Sequence, residues 1–254
     1  MAKFYKLATP EGWDFRTGNT INYRENLGKT VTVPTFGKYG AKPKYELCTD
    51  MVLHASKKPL QCFIGAKIPC SAFIVKGVPV VKSPDKCGFA KLTVVEEIPQ
   101  DKLAGLFGFD YPQVVNPIHP LKLVAPQITD AELLLLQSWA SVWDSVGASV
   151  RDSVGASVRD SVGASVGDSV RDSVRASVWA YIGSIFPNIK TWKYAPANIQ
   201  GYPYQSCVDL WKKGLVPSFD GTTYRLHTGI DARIVYEISA KKLKELQFKT
   251  EEIK

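Results

Sequence analysis

Cys48, His54 and Ser56 are the residues whose types and spacing come nearest to chemistry in this 254-residue chain. A thiol or hydroxyl close to an imidazole is the arrangement of an activated nucleophile and its base. Here that arrangement rests only on closeness in sequence. A structural histidine and a capping serine are the plainer reading. Cys48, His54, Cys62, Cys70 and Cys87 could gather around zinc, but their spacing contains no Cys-x-x-Cys pair, so no metal site is expected. Arg225 and His227 alternate onto one face of a strand, with Arg233 opposite. That set is a candidate anion-binding site, and a cross-strand surface cluster is its plainer explanation. The chain has no glycine-rich phosphate loop and no metalloprotease or hydrolase motif, so neither a cofactor nor a named reaction is expected.

The elements that must position these residues are mostly strands. Residues 3–8 read as a strand that turns at Thr9-Pro10-Glu11-Gly12, and Lys29–Val33 alternates until Pro34. Short extended segments at 45–48 and 52–54 precede a helix that begins on Pro59. Ser71–Val78 and Lys91–Ile98 are the strongest strands, rich in branched residues. Residues 99–128 hold apolar residues between prolines and glycines, which suits an ordered connection better than a flexible linker. Toward the C-terminus, a helix runs from Ser206 to Gly214, a hairpin joins Thr222–His227 to Ala232–Ile238, and a last amphipathic helix covers about 239–247.

Between these parts the chain reads Ser-Val-x-x without exception from Ser141 to Val178, in ten copies. Thr129 and Glu132 form a capping box at its entry, and Pro187 halts its exit. With no turn signal inside, one helix over 130–186, roughly 85 Å long, is expected. Propensity opposes it, because Ser, Val, Asp and Gly make up 29 of the 38 repeat residues. Each valine falls about 40° beyond the one before, so the valine stripe winds around the axis. Neighbouring copies of the chain would have to cover such a stripe. Val146, Val150, Val154, Val158, Val162, Val166 and Val170 are therefore the expected self-association residues. A β-solenoid with four residues per side is the alternative, disorder is a third, and slippage of a twelve-base DNA repeat would also generate the segment.

The expected class is α+β, a small mixed or antiparallel sheet region interrupted by that long helix. The expected parts are 1–128, an insertion at 129–186, and 187–254 packing with 1–128. The net charge of +8 divides into +7 over 1–128 (17 basic, 10 acidic), −3 over 129–180 (4 and 7) and +4 over 181–254 (11 and 7). Scattered lysines carry the excess, which suits weak, non-specific polyanion binding and not dedicated nucleic-acid recognition. An odd number of cysteines with no pairing pattern suits reduced thiols. With no apolar run of about 18 residues and no signal-like start, a cytoplasmic protein with no membrane segment is expected.

Three stretches carry a resemblance. They are Leu47-Cys48-Thr49-Asp50 with Leu53-His54-Ala55-Ser56, the repeat ending in Trp179-Ala180-Tyr181-Ile182, and Leu210–Gly221 with Arg225-Leu226-His227. Together they resemble an uncharacterised family from bacteriophage, prophage and gut-bacterial genomes. The resemblance implies a bacterial host cell or virion setting and supplies no activity. Two functions are carried forward. One is an interaction or assembly protein that forms homo-oligomers through the repeat and docks a protein partner. The other is a small transferase acting on a nucleotide-like ligand near His54 and Arg225, ADP-ribosyltransferase-like by fold analogy alone.

Overall fold

The computed structural model describes residues 2–34, 44–154, 156, 159–160, 175–197 and 199–246. It divides into two compact units, Met1–Tyr111 and Pro112–Lys254. The junction falls before the expected boundary at 128, so residues 112–128 belong with the repeat and the C-terminal part.

In the N-terminal unit, β1 (Lys3–Ala8), β4 (Thr30–Thr32), β6 (Ser71–Lys76) and β9 (Lys91–Ile98) form one antiparallel sheet in the order β1-β6-β9-β4. The two strongest strands of the sequence, β6 and β9, lie at its centre. Phe4, Phe73, Val75, Leu92 and Val94 are buried in its core with Tyr23 and Phe89. Two smaller sheets complete the unit. β2 (Trp13–Asp14) pairs with β3 (Gly18–Asn22), and β8 (Cys87–Phe89) lies between β5 (Leu53–Ala55) and β7 (Val81–Lys82). Pro59 opens a 3-10 turn to Ile64, its ring fixing the first φ where no amide donor is needed. The apolar connection after β9 is ordered, as expected from its composition. It forms α1 (Leu103–Phe107), and Phe107 meets Phe63 edge-on with ring centroids 5.0 Å apart. A second short helix, α2 (Tyr111–Val115), starts at the junction.

The C-terminal unit corrects the principal expectation: residues 130–186 do not form one long helix. α3 (Asp130–Ala140) starts as the capping box requires, with the Glu132 carboxylate accepting the Thr129 N–H at 3.0 Å. It then ends, and residues 141–145 are turns. α4 (Val146–Ser153) follows, Val154 is extended, and a further helix, α5, spans Arg175–Ser184. No solenoid is present among the described residues either.

The repeat's own residues break the helix. The Ser141 and Ser145 hydroxyls donate to the carbonyls of Ser138 (2.7 Å) and Val142 (2.9 Å), offering the backbone an alternative to helical bonding. Packing then favours the break. In a straight helix the valines would rotate away from any single core, whereas here Val142, Val146, Val150 and Val154 are all at most 4% exposed. Burying each contributes about 1.5 kcal/mol, more than its propensity deficit of about 0.5–1 kcal/mol.

Serines of the repeat are buried too, because each has a partner. Ser149 donates to the Lys193 carbonyl and accepts from the Tyr204 hydroxyl at 2.6 Å, and Ser177 donates to the Pro217 carbonyl at 2.6 Å. α6 (Gln205–Lys212) brings Trp211 to stack on Tyr181 of α5 at 5.0 Å. β10 (Val216–Phe219), β11 (Thr223–Thr228) and β12 (Arg233–Ser239) form a separate antiparallel sheet, followed by α7 (Ala240–Glu245). Among the described residues, then, the chain is a mixed α/β protein of several small antiparallel sheets and short helices. No described helix is long and apolar enough to cross a membrane.

Candidate functional site

The N-terminal unit contains a half-open cavity of about 160 Å³ lined by Lys6, Asp14, Arg16, Cys48, His54, Ser56, Cys62 and Lys86, among others. The three residues singled out in the sequence thus share one cavity, and four charged residues join them.

The wall is built first. β1 places Phe4, Lys6 and Ala8 on its inward side, so Lys6 is buried and needs a counter-charge. Asp14 of β2 supplies it, with Lys6 Nζ 2.6 Å from Asp14 Oδ2. The Tyr23 hydroxyl donates to the same oxygen at 2.7 Å, while Oδ1 accepts the Arg16 and Thr17 backbone N–H groups at 2.8 and 3.1 Å. Burial would raise the Asp14 pKa, but Lys6, Tyr23 and those amides together hold it well below the usual carboxylate range. Because Asp14 fixes the turn, it also sets where Arg16 leaves the strand.

Cys48 is held from both sides of its peptide unit. Its N–H donates to His54 Nε2 at 2.9 Å, and the Arg16 guanidinium donates to its carbonyl. These bonds hold a left-handed backbone, φ +65°, which costs an L-residue about 1–2 kcal/mol. Cys48 is the one exposed thiol among the five cysteines, all of them free. Lys86 Nζ donates to its Sγ, from a turn in which the Ser83 N–H bonds the Lys86 carbonyl at 2.8 Å. Gln61 Nε2, donating to Asp85 at 3.2 Å, ties that turn to the 3-10 segment. Lys86 above all, with Arg16 adding to it, lowers the Cys48 pKa and so favours the thiolate.

His54 is placed as a structural histidine. Burial, then the charges of Lys6, Lys86 and Arg16, push its pKa down to about 4, so it is neutral at physiological pH. Its Nε2 accepts from the Cys48 amide, so the proton sits on Nδ1. It positions Cys48. Ser56 is 2% exposed and exchanges backbone hydrogen bonds with Tyr5 at 2.7 and 3.0 Å, which makes it part of the wall. Cys62 also lines the cavity, but burial raises its pKa to about 11 and its thiol donates to the Tyr5 carbonyl. Burial likewise takes Cys70 to about 12. No group of three or more His, Cys, Asp or Glu residues able to hold a metal ion occurs among the described residues.

The second predicted cluster lies in the C-terminal unit, where the Arg225 charge is paired. Arg225 Nη1 is 2.5 Å from Asp220, and its Nε is 3.5 Å from Glu237. The His227 ring shares a hydrogen bond of 2.7 Å with Ser218 and one of 3.0 Å with the Ala232 carbonyl. Arg233 is opposite Thr228 in the ladder. The pairing of Arg225 fits the cross-strand surface cluster. Of the self-association valines, Val146, Val150 and Val154 are buried inside their own unit, and Val158, Val162, Val166 and Val170 lie outside the described residues.

Lys6, Asp14, Arg16 and Lys86 escaped sequence reasoning. A lysine between Phe4 and Ala8 on one strand face was the available signal for a buried ion pair. Nothing in the sequence places Lys86 beside Cys48. The chain matches no family model, no curated protein and no solved structure.

Proposed function

We propose that the N-terminal unit is a small thiol-dependent transferase or hydrolase in which Cys48 is the nucleophile. The observation that carries this reading is the one exposed thiol, donated to by the Lys86 ammonium in a cavity lined by polar groups. In the first step the Cys48 thiolate uses its electron pair to form an S–C bond to an electrophilic carbon, such as that of an ester. The leaving group departs with its bonding pair and takes a proton from Lys86. Water or another acceptor then attacks the thioester, gives a proton to Lys86 and releases the thiolate. His54 and Arg16 are positioning residues, since they hold the strained backbone that presents the thiol.

The test has two parts. The pH–rate profile of Cys48 alkylation by iodoacetamide, read by peptide mass spectrometry, should titrate below the ordinary thiol value of about 8.5. It should move upward in Lys86→Met. An activated ester should leave an acyl group on Cys48 that turns over, and none in Cys48→Ser. A midpoint at or above the ordinary thiol value, with no acylation, overturns the assignment.

A further inference from the structure

We infer that the Cys48 cavity selects electrophiles carrying an anionic group, a carboxylate or a phosphate, held by Arg16 and Lys86 beside the thiolate. This rests on reading Cys48 as the nucleophile. The lining holds three cations, Lys6, Arg16 and Lys86, against one carboxylate, Asp14. Asp14 is already engaged by Lys6, Tyr23 and two backbone amides, so it offers little negative potential to the cavity. With the thiolate counted, the lining still carries a net charge of +1, and His54 adds nothing because it is neutral.

The geometry places that excess where it is useful. Arg16 has five N–H donors in a planar fork; one nitrogen donates to the Cys48 carbonyl, and the side chain also bonds the Cys48 sulfur. Its backbone direction is fixed by Asp14, and the side chain stays exposed at the mouth. The cavity measures about 160 Å³. That admits an anionic group with the electrophilic carbon next to it. A cavity of one sign also raises the local concentration of such a substrate and its rate of arrival.

Iodoacetate and iodoacetamide test this on the full chain. Both form an S–CH2 bond and release iodide with the bonding pair, and they differ in carrying a carboxylate or a neutral amide. The iodoacetate-to-iodoacetamide rate ratio at Cys48 should exceed that of a small solution thiol by about tenfold. It should fall toward the solution value at about 1 M salt and in Arg16→Gln, and recover in part in Arg16→Lys. Inorganic phosphate and acetate, added as competitors, separate the two sources: the one that protects Cys48 at the lower concentration names the group. A Cys48 that alkylates readily with the solution ratio would overturn the anion inference and leave the nucleophile standing. A Cys48 no more reactive than the solution thiol toward either reagent would overturn both.

Discussion

Replacing Lys6 with Met removes the ammonium from the cavity wall and keeps most of the aliphatic stem. At 2.6 Å the Lys6–Asp14 attraction is about 6 kcal/mol with an effective dielectric constant of about 20, before desolvation is subtracted. Breaking one side of such a pair costs about 3–5 kcal/mol, because the other charge stays buried. Asp14 keeps three hydrogen bonds, from Tyr23, Arg16 and Thr17, which places the expected loss near the lower end, about 3 kcal/mol. For a unit of this length the urea slope is roughly 1–1.5 kcal/mol per molar, so the midpoint should fall by about 2–3 M. Labelling of Cys70 and Cys87, which are 1% and 4% exposed, reports unfolding of the N-terminal unit, and Cys207 reports on the other. A dipyridyl disulfide allows the same measurement in acid.

The pH dependence gives this prediction a second arm. In the wild type the Asp14 pKa is depressed, so its contribution is present above about 3.8 and is lost as pH falls below that. Without Lys6 the carboxyl protonates at a higher pH and becomes neutral in its buried site. The stability gap between wild type and Lys6→Met should therefore be wide at pH 7 and narrow toward pH 4. A midpoint shift under about 0.5 M, or a gap that does not narrow, would show that the pair behaves as a solvated surface contact and refute the reasoning.

Two further outcomes use the same labelling assay. His54 is held at about 4 against an ordinary 6.5, so the unfolded chain binds more protons between those values and stability falls as pH drops through that window. Allowing for its partial exposure, the loss should be about 1–2 kcal/mol. His54→Gln should flatten the dependence from pH 6.5 to 5, and an unchanged slope there would sink the neutral-histidine reading. Val150→Asp puts a charge at a position with 0% exposure, so Cys207 should become labelled without denaturant. A Val150→Asp protein that keeps Cys207 protected while changing its oligomeric state would return this valine to an intermolecular face.

Much of the secondary structure was legible because local signals agreed with the fold. Branched residues at 71–76 and 91–98 became the central strands, and the Thr129–Glu132 cap started a helix where expected. The turn at Gly229, φ +74°, closes the hairpin whose two strands alternation had marked. What failed was length. β10 contains Pro217, which reads as a loop but is tolerated on an edge strand, as its place in the sheet order shows. The repeat failed for a related reason. A period of four is compatible with a helix, but periodicity says nothing about whether the core follows the winding stripe. Where it does not, a weak helix former breaks, and serine hydroxyls supply the hydrogen bonds that make the break cheap.

The site was half legible for a physical reason that separates its two kinds of residue. Cys48, His54 and Ser56 are close in sequence, so one loop and one strand carry all three. The groups that set their chemistry arrive from elsewhere: Lys6 and Asp14 from β1 and β2, Arg16 from an Asp14-fixed turn, and Lys86 from the turn before β8. Proximity in sequence allowed a nucleophile–base pair but made a structural histidine the plainer reading. Burial, then Lys6, Lys86 and Arg16, depresses the histidine pKa, while Lys86 and Arg16 favour the thiolate. Lys86 and Arg16 shift the Cys48 thiol toward its thiolate, and the imidazole accepts a backbone amide. In this cavity Cys48 and His54 could be named from the sequence, but the charges around them are ones that only tertiary structure brings within reach.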